Sequence, residues 1–121
     1  AVGTIDPVDL TETYLAAIDA HVFRDRIYAR VTHDRARAEA KAAQTRSASG
    51  MRRSALDGVP ISWKDLFDTA GIGTEAGTML MEGRVPDTDA DVLQNATAAG
   101  RCCVGKTHMS VLACYCLRLN P

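Results

Sequence analysis

The sequence predicts an α/β protein, and three features carry that prediction. Apolar residues recur at helical spacing near the amino terminus, short segments further on alternate apolar and polar residues, and the two patterns take turns along the chain. Helices alternating with strands pack as helices layered on a sheet. No internal repeat or linker divides the 121 residues, a length that suits one domain or a piece of a larger one.

The elements follow in order. Asp6 can cap a helix, Pro7 suits its first turn, and Asp9 adds negative charge near its positive end. Leu10, Tyr14, Leu15, Ile18 and Val22 then form a stripe expected to face the core. Ile27, Ala29 and Val31 alternate with Tyr28, Arg30 and Thr32 as a short half-buried strand. Asp34 opens an alanine-rich helix to about Ala43, and residues 44–54 (QTRSASGMRRS) lack periodicity and read as a loop. Within residues 56–67 (LDGVPISWKDLF), Val59, Ile61 and Trp63 share one face and Pro60, Ser62 and Lys64 the other. The proline places itself near the first residues of that strand, where a missing N–H is tolerated. Residues 68–78 form a glycine-rich loop, and residues 89–99 a helix closed by Gly100 at C′. Residues 101–105 read as a strand and 110–117 as a helix.

Composition narrows the function. With 46% hydrophobic and 24% charged residues the chain is neither disordered nor fibrous. No apolar run reaches the roughly 18–20 residues that cross a bilayer, and residues 1–10 lack a secretory pattern. A cytoplasmic protein without membrane association is expected. The net charge of −1 hides two blocks. Residues 24–53 hold nine basic groups against three acids, whereas residues 54–100 hold eight acids against Lys64 and Arg84. Only Phe23 and Tyr28 adjoin the basic block as base-stacking groups, so a solvated helix face is expected there and no nucleic acid. Cys102, Cys103, Cys114 and Cys116 lack the spacing of a structural zinc site and read as free thiols; no metal is expected.

Three motifs invite chemistry. Residues 100–107 (GRCCVGKT) fit the phosphate-binding pattern G-x-x-x-x-G-K-S/T, but a helix precedes Gly100 and the middle residues look like the strand itself. Gly71, Gly73 and Ala76 fit G-x-G-x-x-A, yet Asp65 and Asp68 interrupt the buried strand that a dinucleotide site needs, which leaves a glycine-rich turn. Lys64 ends a β-rich run, where ligand crevices form at the carboxyl edge of a sheet. Burial there would favour its neutral amine, a general base; the competing expectation is a solvated lysine or one paired with Asp65.

At these residues the chain resembles the amidase signature family. Residues 57–65 (DGVPISWKD) look like its G-V/I-P-I/V-x-x-K-D segment, and residues 67–71 with 76–78 like the D-T-x-G stretch and the small-residue step after it. Residues 86–92 (PDTDADV), 99–110 (AGRCCVGKTHMS) and 119–121 (LNP) continue the match in family order. His108, Val111 and Arg118 stand where asparagine, an acid and glycine are usual. The resemblance implies a mixed β-sheet flanked by helices, of which residues 1–121 supply a single amino-terminal fragment of an amidase-like domain. It implies hydrolysis or transfer at a small-molecule carboxamide by a Ser–cis-Ser–Lys arrangement without cofactor, with Lys64 as the catalytic lysine. In that arrangement the neutral lysine takes a proton from a bridging serine, which activates the nucleophilic serine. The Gly/Ser-rich signature that carries both serines follows the Asn-Pro step in the family and is absent from residues 1–121, so the piece alone is expected to be inactive. The same resemblance makes Lys106 a structural lysine at a strand end. The alternative is a non-catalytic α/β fragment that binds a nucleotide through residues 100–107, or a partner. An exposed sheet edge would also permit a homodimer.

Overall fold

The computed structural model describes residues 5–113. Its elements are α1 (Pro7–Ala20), α2 (Arg24–Ile27), β1 (Tyr28–Val31), α3 (His33–Ala48), β2 (Pro60–Lys64), α4 (Asp91–Ala98) and β3 (Cys102–Thr107), with short 3-10 turns at Met79–Met81 and Val111–Ala113. The expectations for residues 114–117, Cys114, Cys116, Arg118 and 119–121 lie outside the described residues.

The sheet order is β1-β3-β2, with β3 central. β1 runs antiparallel to β3 and β2 parallel to it, so the α/β fold holds the mixed sheet that the family resemblance implies. The register slips once between β2 and β3: Ile61 faces Cys103 but Ser62 faces Gly105. Val104 is the extra residue of this bulge, and it packs with Leu15, Ile18 and Ala36 in the core. Gly105 serves a close approach: a Cβ there would stand 2.8 Å from the Tyr28 ring and from the Arg30 carbonyl. Tyr28 thereby reaches across the central strand to Ser62, hydroxyl to hydroxyl at 2.9 Å.

α1 begins as its residues require. The Asp6 carboxylate accepts from the Val8 and Asp9 amides, and Pro7 occupies the first turn. Its buried face is Thr11, Leu15 and Ile18, whereas Tyr14 and Val22 are exposed. The expected stripe was too wide at both residues: Val22 lies past the helix end at His21, and Tyr14 sits off the Leu15–Ile18 face. α3 buries Ala36, Ala40 and Ala43 at i, i+4 and i+7, small side chains that allow close packing against α1 and β3. It runs to Ala48, beyond the expected end near Ala43, and Arg46 in its last turns forms a bidentate pair with Asp57 at 2.6 and 2.9 Å. α4 starts two residues later than Asp89, because that carboxylate is taken by Arg35 at 2.6 and 2.7 Å and by the Ala70 amide. α4 closes as expected: Gly100 and Arg101 donate to the Thr97 and Ala96 carbonyls, the paired bonds of a Schellman motif. Pro60 is the first residue of β2.

The two charge blocks meet inside the molecule. Arg35 pairs with Asp89, Arg46 with Asp57 and Arg30 with Glu75, so the basic block is spent partly on the acidic segment and is less solvated than expected. These pairs set an acid sensitivity. The bidentate Arg46 and Arg35 guanidiniums hold the Asp57 and Asp89 carboxyls below their ordinary value of 3.8, as Arg84 does for Asp68. A carboxyl whose native value is depressed adds stability above its unfolded value, and that stability is lost as pH falls through the native one. The melting temperature is therefore expected to stay flat from pH 7 to about 5 and to drop steeply below about pH 4. A flat profile down to pH 2.5 would remove these pairs from the account of stability.

Candidate active site at the carboxyl edge of the sheet

β2 and β3 run parallel and end together, with Lys64 opposite Thr107. The two ladders continue one step further, as the Asp65 amide donates to the Thr107 carbonyl at 2.9 Å. Lys64 is thus the last residue of β2, and its side chain is exposed. Among the described residues its ammonium makes no hydrogen bond or ion pair. Of the expectations for its surroundings, the solvated lysine is met, whereas the buried amine and the pair with Asp65 are not. Among the described residues the amine stands exposed rather than in a dry cleft. No salt bridge to Asp65 forms either, because neighbouring residues of an extended chain point to opposite sides and Asp65 turns inward.

Asp65 is buried, and its partner is the one fully buried lysine among the described residues, Lys106. Lys106 Nζ lies 3.2 Å from Asp65 Oδ1, an ion pair without the alignment of a hydrogen bond, and donates to Thr74 Oγ1 at 2.7 Å. Burial pushes the Lys106 ammonium below its ordinary value of 10.5, while the Asp65 carboxylate opposes that shift. Asp65 Oδ2 accepts from the Glu75 amide at 3.1 Å and has Arg30 Nη1 at 3.8 Å; Arg30 Nη2 reaches Glu75 Oε1 at 2.9 Å. The Asp65 carbonyl accepts from the Ala76 amide at 3.0 Å. The loop after β2 is thereby tied to β3 and β1 by both backbone and charge. Nothing in the spacing of Asp65, Thr74 and Lys106 announced this cluster; the only sequence signal was the assignment of Lys106 as a strand-end lysine.

The phosphate motif is not a phosphate cradle. Residues 102–107 are strand, and the Lys106 ammonium that should reach a phosphate is enclosed with Asp65 and Thr74. Nucleotide binding through residues 100–107 loses its physical basis, since loop amides must converge on the anion. Residues 71–76 turn back on themselves, with a Thr69–Ile72 bridge, and the acid expected for a ribose, Asp89, is held by Arg35. A concavity of about 790 Å3 opens between residues 30–35 and 70–73, and Lys64 is not among its lining residues. Cys102 and Cys103 are buried free thiols, and burial pushes Cys102 up to about 11 and Cys103 in the same direction. Among the described residues no cluster of His, Cys, Asp and Glu is placed to hold a metal ion, and no helix is long and apolar enough to cross a membrane.

The G-V-P-I-S-W-K-D segment, which carries the resemblance to the amidase signature family, ends with its lysine at the carboxyl edge of the mixed sheet. The Amidase family model matches residues 9–120, and the chain belongs to that family. A glutamyl-tRNA(Gln) amidotransferase subunit from Anaeromyxobacter dehalogenans is 46% identical over 113 residues, 93% of this chain and 23% of that protein. The native peptide amidase of Stenotrophomonas maltophilia superposes with a TM-score of 0.78 at 33% identity, over 90% of this chain and 23% of that one. A chain from a vestigial protein complex linked to the origins of an s-triazine catabolic enzyme gives 0.83 at 34% identity, over 90% and 24%. The chain spans about a quarter of the length of these relatives.

Proposed function

We propose that residues 1–121 supply the lysine of an amide-hydrolysing Ser–cis-Ser–Lys centre, with Lys64 as the proton acceptor. The observation that carries the reading is the position of Lys64: the last residue of a parallel strand, inside the K-D segment of a chain that matches the Amidase family over residues 9–120. Only a neutral amine accepts a proton, and the hydroxyls it would act on belong to a Gly/Ser-rich segment that residues 1–121 do not contain. The outer edges of β1 and β2 pair with no other described strand, which supports a sheet that continues into further segments or onto a second copy. The chain is, on this reading, an amino-terminal part of an amidase-like domain.

Glutamine is the substrate we favour. The 46% identity with an amidotransferase subunit exceeds the 33% identity with peptide amidase, which supports release of ammonia from a small carboxamide for transfer within a multi-subunit assembly. A protein that carries this chain together with a serine pair is expected to release ammonia from L-glutamine faster than from C-terminally amidated peptides. The 121-residue chain alone is expected to release none. Faster turnover of the peptide amides would replace the glutamine reading. Lysine-dependent turnover by the chain alone would overturn the need for distant serines.

A further inference from the structure

The residue that follows Lys64 is anchored far more heavily than a loop anchor requires. The Asp65 side chain is 4% exposed and that of Lys106 fully buried. Taking such charges out of water costs several kcal/mol per ion, and a buried pair often contributes less stability than apolar residues of equal volume. The geometry shows what this one fixes instead. Asp65 is bonded through its amide to β3, through its carbonyl to Ala76 and through Oδ2 to the Glu75 amide, and its carboxylate forms ion pairs with Lys106 and Arg30. Gly73 closes the cluster, since a Cβ there would stand 2.6 Å from Arg30 Nε.

We propose that Asp65 and Lys106 are positioning residues: their buried ion pair pins the end of β2 and so sets where the Lys64 amine stands. The inference rests on the reading of Lys64 as the base. Lysine carries its amine on a flexible four-carbon stem, and no described partner steadies the Lys64 ammonium. Its direction is inherited from the backbone at 64–65. A displacement of about 1 Å at a reacting group can cost on the order of a hundredfold in rate, while binding elsewhere is untouched.

The test uses the full-length protein that carries this chain, with glutamine or a simple carboxamide as substrate. Asp65→Asn is nearly isosteric and removes the charge. It is expected to lower kcat by about 10- to 100-fold with KM within about threefold, measured per folded molecule well below the melting temperature. Asp65→Asn/Lys106→Met is expected to be no slower than Asp65→Asn, since both act through one pair. A merely structural pair would lower the melting temperature and leave kcat of the folded enzyme within twofold, which overturns the proposal. Should Asp65→Asn fail to fold, Thr74→Val removes the 2.7 Å hydrogen bond to Lys106 without touching a charge. A kcat loss of about threefold or more at constant KM then supports the proposal, and an unchanged kcat defeats it. Lys64→Ala separates the two levels: full activity in that variant sinks the base assignment itself, whereas an inactive Lys64→Ala beside a fully active Asp65→Asn sinks only the positioning role.

Discussion

Lys64→Ala is expected to lower carboxamide hydrolysis by about a thousandfold in a protein that carries this chain and the serine pair, with the fold unchanged. A positioned general base contributes roughly 10²- to 10⁴-fold, and here no described group stands beside Lys64 to replace it. The structural cost should be small. The side chain is exposed, bonds no described residue and ends a strand whose backbone bonds survive the substitution. Such surface changes usually stay within about 0.5 kcal/mol. Lys64→Arg should be as inactive as Lys64→Ala, because a guanidinium keeps its proton and cannot act as a base. Parallel measurements of kcat and melting temperature check both halves. Unimpaired turnover would remove Lys64 from the chemistry, and a fall of several degrees in melting temperature would show a structural load that the exposed amine does not display.

The features that were legible in the sequence are those set by local chemistry. Asp6 and Pro7 start α1 because capping and a fixed φ act within one turn, and Pro60 begins β2 because a missing N–H is tolerated there. The alternating run over residues 59–63 placed Lys64 at a strand end. What could not be read were pairings between distant residues. α3 extends to Ala48 with Arg46 on Asp57, and β3 extends to Thr107 with Lys106 on Asp65, both beyond their expected ends. Each extension carries a long cation to an acid on another element, and periodicity records no such partner. The same reason explains the basic block, which looked solvated in one dimension and in three sends Arg30, Arg35 and Arg46 to acids of the acidic segment. At Lys64 the solvated side chain expected from spacing is what residues 5–113 show, and the buried alternative is not met among them.

Gly100→Ala is expected to be the most destabilising single methyl in the described structure, at about 2–4 kcal/mol. Two independent costs meet at this position. Gly100 holds φ at +91°, a conformation in which an L side chain is strained by roughly 1–2 kcal/mol, and it does so as the C′ residue of α4. The added Cβ would also fall inside the Asp57 carboxylate. That carboxylate has no room to retreat, because it accepts two bonds from Arg46 and one from the Arg53 amide with only 1% of its side chain exposed. The Gly100 carbonyl meanwhile takes the Gly58 amide at 2.8 Å, so a shift of the turn would loosen the segment that leads into β2. The effect should therefore travel along the chain towards Lys64 as well as into α4. Chemical denaturation of Gly100→Ala and Asp57→Ala/Gly100→Ala checks the argument. Removing the carboxylate should relieve the clash and leave the φ penalty, so the methyl costs less in the Asp57→Ala background. Equal costs in both backgrounds would show that the carboxylate is not what the methyl meets.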